Sequence, residues 1–167
     1  MEKLSIELRT MARAAGLCDE WFHAWKDDSS DEELFQKYKN GIDFSIGKAW
    51  LSNEFIKAHW PKKKLRENGI FVDDKSNIGS PKGTIIIQGQ SEIKVEAGSF
   101  DIADIYVRDQ STLKIRAKGN SKIMVNLYDK GAIVTDCKEN AKVYIYCHTK
   151  EGKVKDLGLC ESLIRYE

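Results

Sequence analysis

From residue 90 to residue 147 the chain repeats itself every ten positions, a period that fits neither a helical heptad nor a long helical repeat. Reading every tenth residue from 93 gives Ile93, Ala103, Leu113, Ile123, Ile133 and Val143. Two places on, the column is Val95, Ile105, Ile115, Val125, Thr135 and Ile145, and two further it is Ala97, Val107, Ala117, Leu127, Cys137 and Cys147. The column before all three, Ser91, Asp101, Ser111, Ser121, Gly131 and Ala141, is small or polar. Alternation of apolar and polar residues within each unit describes a strand of about five residues with one inward face, closed by a turn.

The units come in two kinds, so the coil must contain two of them. QSEIKVEAG and QSTLKIRAKG, starting at Gln90 and Gln110, resemble each other and the unit at Lys130. Units starting at Phe100, Asn120 and Asn140 form a second class, ending in YVRD, LYD and YC. A twenty-residue rung of two strands, stacked at about 4.8 Å, aligns like with like. The pattern therefore predicts a parallel β-solenoid of three to four rungs with aliphatic ladders inside. Its open strand edges need covering, and the tail LGLCESLIRYE is expected to cap the last rung.

The first half reads differently. Leu4, Leu8, Met11 and Ala15 recur at helical spacing and stop at Gly16. DDSSDEELFQKYKNG holds a helix with a Ser29 or Ser30 cap, acidic first turn, basic last turn and an Asn40-Gly41 stop. LSNEFIKAHW is a helix halted before Pro61, which opens a short last one ending at Gly69. All four tryptophans, Trp21, Trp25, Trp50 and Trp60, lie here and are read as core residues, since each aromatic buries roughly 150–250 Å², with an exposed docking surface for another protein as the alternative for some of them. The fold class is thus α+β, with a helical unit over 1–75 and a β-solenoid with a C-terminal cap over 76–167.

The solenoid half resembles bactofilin-type and related adhesin-like domains in architecture, through its strand-turn rungs and stacked aliphatic columns. GLCDEWFHAW, YKNGIDF, SNEFIKAHW and LRENGIFVDD resemble the N-terminal segments of small uncharacterised bacterial and prophage-type proteins that end in strand-rich repeats. That resemblance implies the two-part layout and a mobile-element setting.

Composition narrows the function classes. Of the residues, 32% are charged and 41% hydrophobic, with a formal net charge of +1, so no strong basic excess points to nucleic acid. Glu2, Lys3, Glu7, Arg9 and Arg13 interrupt the N-terminal apolar residues, no later stretch is long enough to cross a membrane, and a cytoplasmic protein is expected. Cys18, Cys137, Cys147 and Cys160 contain no CxxC pair and read as reduced thiols. Cys137, Cys147, His148 and Cys160 are zinc-compatible in type but not in spacing, so neither metal nor cofactor is expected. His23, His59 and His148 sit in no triad or metal motif, and no G-x-S-x-G, Walker or dinucleotide fingerprint occurs.

The outward positions of the second strand class carry what functional signal there is. They read Ile102, Asp104, Tyr106, then Lys122, Met124, Asn126, then Lys142, Tyr144, Tyr146. The binding residues expected are Tyr106, Lys122, Met124, Lys142, Tyr144 and Tyr146, on a flat aromatic and cationic surface. The reading is a non-enzymatic protein-binding or assembly module, its partner a host protein or a second copy in a homo-oligomer. The alternative is a carbohydrate-active or glycan-binding β-helix protein using outward acids such as Glu92 and Glu96.

Overall fold

The computed structural model describes residues 2–157 and 162–166. They divide into two compact units, Met1–His59 and Trp60–Glu167.

Five helices form the first unit: α1 (Glu2–Ala14), α2 (Asp19–His23), α3 (Asp31–Asn40), α4 (Ile42–Lys48) and α5 (Asn53–His59). The buried face of α1 is Ser5, Leu8 and Ala12, rotated from the expected stripe, and Leu4 and Met11 are only half-buried. Ser5 explains the rotation, because its hydroxyl accepts from Trp25 Nε1 at 3.0 Å and donates to the Lys26 carbonyl at 2.7 Å. Ser30 caps α3 in a reciprocal pair with Glu33, which satisfies two backbone donors at once. Gly41 ends α3 as expected and also starts α4, a helix that Asn40-Gly41, read as a stop, does not announce. The rings of Trp25, Phe44 and Tyr38 surround Trp50 at 6.0, 5.9 and 6.3 Å. Trp25, Trp50 and Trp60 are buried, whereas Trp21 is 41% exposed and is not a core residue.

The second unit opens with α6 (Lys62–Glu67) and continues, among the described residues, with strands only: β1 (Ile70–Val72), β2 (Lys75–Gly79), β3 (Gly83–Gln88), β4 (Glu92–Ala97), β5 (Ile102–Val107), β6 (Thr112–Ala117), β7 (Lys122–Leu127), β8 (Ala132–Cys137), β9 (Lys142–Cys147), β10 (Lys153–Asp156) and β11 (Ser162–Tyr166). Odd strands form a six-stranded sheet in the order β1-β3-β5-β7-β9-β11, and even strands a five-stranded sheet in the order β10-β8-β6-β4-β2. Every pairing is parallel, and Ile93 lies on Leu113 with Leu113 on Ile133. The molecule is an α+β protein with a parallel β-solenoid of twenty-residue rungs.

Inward columns from the two sheets meet as one core. Ile93, Leu113, Ile133 and Val95, Ile115 face Ala103, Ile123, Val143 and Ile105, Val125, Ile145, all at most 1% exposed. Burying each of the larger aliphatics contributes about 1.5–3 kcal/mol. At the corners Ser91, Ser111, Ser121, Gly131 and Ala141 of the small column are buried, and a Cβ added at Gly131 would lie 2.6 Å from Leu127. Ser91 donates to the Gln88 carbonyl at 2.7 Å, Ser111 to the Gly89 carbonyl at 3.1 Å and Ser121 to the Lys118 carbonyl at 2.9 Å, so buried turn carbonyls keep partners.

The solenoid is longer than the three to four rungs expected, with six strands in one sheet and five in the other. Its extra strands fall out of the ten-residue phase. Ile70 pairs with Ile86 and Lys75 with Glu92, offsets of sixteen and seventeen, while Ala132 pairs with Lys153 and Val143 with Ser162, offsets of twenty-one and nineteen. Loops that differ by one to four residues from the repeat hide these rungs from a fixed-period reading. The first rung is tied to α6, which packs on β1. Lys62 Nζ donates to the Asp73 carbonyl at 2.7 Å and Arg66 forms a two-pronged pair with Asp74 at 2.6 and 2.7 Å. The basic run at the head of α6 is therefore partly structural. At the other end β11 extends the six-stranded sheet, and residues 158–161 of the expected cap, Cys160 among them, lie outside the described residues.

Candidate functional site

Because successive strand residues point to opposite faces, the residues between the core columns form the outer surface of the six-stranded sheet. Across β5, β7 and β9 they align in rows: Ile102, Lys122, Lys142; Asp104, Met124, Tyr144; Tyr106, Asn126, Tyr146. All six expected binding residues, Tyr106, Lys122, Met124, Lys142, Tyr144 and Tyr146, therefore share one face of three adjacent strands. Lys122 and Lys142 are exposed, Met124 is 41% exposed, and the three tyrosines are half-buried.

One strand earlier the Tyr106 row holds Ile86 and one more brings Ile70, both at most 1% exposed, whereas the Asp104 row holds the half-buried Thr84. On β5 Ile102 is 62% exposed, and Phe100, in the turn before it, 76%. Sequence reasoning placed Ile102 outward but did not assign Phe100 to the site. A signal was present, since the corner column reads Phe100, Asn120, Asn140: an aromatic stands where the fold is served by asparagine.

A polar diagonal stiffens the surface. Asn126 Nδ2 donates to Asp104 Oδ1 at 3.0 Å, which leaves Asn126 Oδ1 to accept from His148 Nε2 at 3.2 Å. The His148 ring stacks on Tyr128 at 4.4 Å and 8°. Carboxylate, carboxamide and imidazole thus hold one another in fixed rotamers between the tyrosines. Tyr128 and His148 continue the rows beyond the strands and were not among the residues expected. Cys137 and Cys147 close the inward columns and are 2% exposed, and burial pushes the Cys147 thiol above its ordinary range, which makes them core residues of low reactivity. Cys160 lies outside the described residues.

The acids that a hydrolytic reading invokes are elsewhere. Glu92 and Glu96 project from β4 in the other sheet, where Glu92 meets Lys75 at 2.8 Å and Glu96 meets Arg116 at 4.0 Å. The Lys75 ammonium holds the Glu92 carboxyl below the usual carboxylate range, opposite to the upward shift of a general acid. Among the described residues no helix is long and apolar enough to cross a membrane. No known protein family, no curated protein and no solved structure matches the chain.

Proposed function

We propose that this chain is a non-enzymatic protein-binding and assembly module whose contact surface is the outer face of β5, β7 and β9. The observation that carries the reading is the exposure of Phe100, Ile102 and Met124 on a rigid sheet, beside Tyr106, Tyr144, Tyr146, Lys122 and Lys142. Contiguous exposed apolar groups mark interaction surfaces, and tyrosine anchors within a charged rim are the usual composition of binding hot spots. A second copy of the chain is the favoured partner. The face carries Asp104 as well as two lysines, so a two-fold pair sets carboxylate toward ammonium and apolar centre toward apolar centre. The resemblance of the helical segments to prophage-type proteins supports a mobile-element accessory or host-interaction role, in the cytoplasm.

Light scattering at high concentration tests the reading with Tyr144→Glu/Tyr146→Glu. A wild-type dimer that becomes a monomer with an unchanged circular dichroism spectrum is the expected result. A wild type that stays monomeric refutes self-association, and a double variant that unfolds shows that the tyrosines hold the fold together rather than a partner.

A further inference from the structure

The outer face of the five-stranded sheet holds a set of unspent donors. An open groove of about 870 Å³ crosses β2, β4 and β6 beside the corners at Gln90 and Gln110. That size suits a ligand of several rings rather than a single ion. At its centre Lys94 lies in register on Lys114, an arrangement of like charges that costs stability in an isolated sheet. Neither ammonium makes a hydrogen bond or ion pair among the described residues, and the same holds for the side chains of Asn77, Gln90, Gln110 and Thr112. The groove's one carboxylate, Glu92, is engaged by Lys75 at 2.8 Å.

We infer that this groove binds an acidic oligosaccharide of the uronic-acid type. Two adjacent ammoniums select carboxylates repeating along the solenoid axis. Carboxamides and a threonine hydroxyl both give and accept hydrogen bonds, which matches the hydroxyls between those carboxylates. Nucleic acid fits less well, because no aromatic side chain lines the groove to stack a base. Glu92 is already neutralised by Lys75, and its remaining lone pairs can accept from sugar hydroxyls. The face is distinct from the one proposed for protein contacts, so the two readings stand or fall separately.

Calorimetric titration of the full-length protein with an oligogalacturonate tests the inference, with a neutral oligosaccharide of equal length, inorganic phosphate and a single-stranded oligonucleotide as comparison arms. The expected result is binding of the uronate that weakens with salt and weakens roughly tenfold or more in Lys94→Gln/Lys114→Gln. The thermal midpoint of that variant should not fall, and Tyr144→Glu/Tyr146→Glu should leave uronate binding intact. Absence of binding, equal affinity for the neutral sugar, phosphate matching the uronate, or tighter binding of the oligonucleotide would each overturn it.

Discussion

Excising residues 90–109 should give a folded protein, whereas excising only residues 90–99 should not. The longer deletion removes β4 and β5, one complete turn, and delivers QSTLKI to the place vacated by QSEIKV. Gln110 then follows Gly89, Ser111 inherits the hydrogen bonds of Ser91, and β6 and β7 stack on β2 and β3 with Ile115 below Ile78 and Val125 below Ile85, as the existing registers dictate. What is lost is one rung's share of the stability. At roughly 0.05–0.15 kcal/mol per residue, twenty residues amount to about 1–3 kcal/mol, or a fall of about 2–12 °C in the thermal midpoint, at about 2–4 °C per kcal/mol. The shorter deletion feeds a strand of one class into the sheet of the other, so that every later turn lands at the wrong corner. Circular dichroism and urea titration separate the cases: a cooperative transition with a reduced m-value for the first, and no cooperative transition for the second. A folded ten-residue deletion beside an unfolded twenty-residue one would refute the two-strand rung as the unit of stability.

Two substitutions probe the corners and the first rung. Gly119→Ala should cost about 2–4 kcal/mol in chemical denaturation, because φ is +69° and a Cβ would lie 2.8 to 3.0 Å from backbone atoms of Ser99, which cannot give way. Gly98→Ala, whose Cβ would meet only the Lys118 side chain at 3.5 Å, should stay within about 0.5 kcal/mol of wild type. At Asp74 the hydrogen-bonded Arg66 guanidinium holds the carboxyl below the usual carboxylate range. Its contribution is therefore complete above the unfolded value of about 3.9 and disappears as pH falls through the lower folded one. Asp74→Asn should cost about 1–2 kcal/mol at neutral pH, less than a fully buried pair because Arg66 is 47% exposed. The gap between variant and wild type should close in urea titrations below pH 4, and a constant gap would show that the charge of Asp74 is irrelevant.

The inward half of the solenoid was legible because each core residue has a vertical neighbour of the same kind. Ile93, Leu113 and Ile133 must stack, so the constraint is written into the sequence at fixed spacing. The corners were legible only in part. Gly89, Ser99, Asp109, Gly119, Asp129 and Glu139 all adopt positive φ at the same place in their units, yet only two are glycines. Side-chain bonds hold some of the others: Asp109 Oδ2 accepts from Gly89 N at 2.6 Å, Asp129 Oδ2 from Asp109 N at 3.1 Å, and Glu139 Oε2 from Gly119 N at 2.7 Å. Each acid braces the turn of the rung before it, so a left-handed corner is bought by a contact twenty residues away that no local signal reports. The α1 face was misplaced for a related reason, since Ser5 is buried through partners twenty and twenty-one residues away.

The outer face obeys a different logic, and this is why it could be found but not finished from sequence. No vertical neighbour dictates an outward residue, so deviation from the repeat is the informative quantity. On the five-stranded sheet the outward pairs Lys94–Lys114 and Glu92–Thr112 suit water or a polar ligand. On the six-stranded sheet Phe100 departs from Asn120 and Asn140, and Ile102 from Lys122 and Lys142, in both cases toward a large, exposed apolar group. Nothing inside the solenoid is improved by those two side chains, because they point away from its core. A row that the fold leaves free and that nonetheless turns apolar is therefore shaped by something outside the fold. Phe100→Asn/Ile102→Lys, which restores the residues of the neighbouring rungs, should accordingly leave the thermal midpoint unchanged or raise it while abolishing self-association in light scattering. Loss of stability in that variant would mean that the apolar corner serves the fold after all.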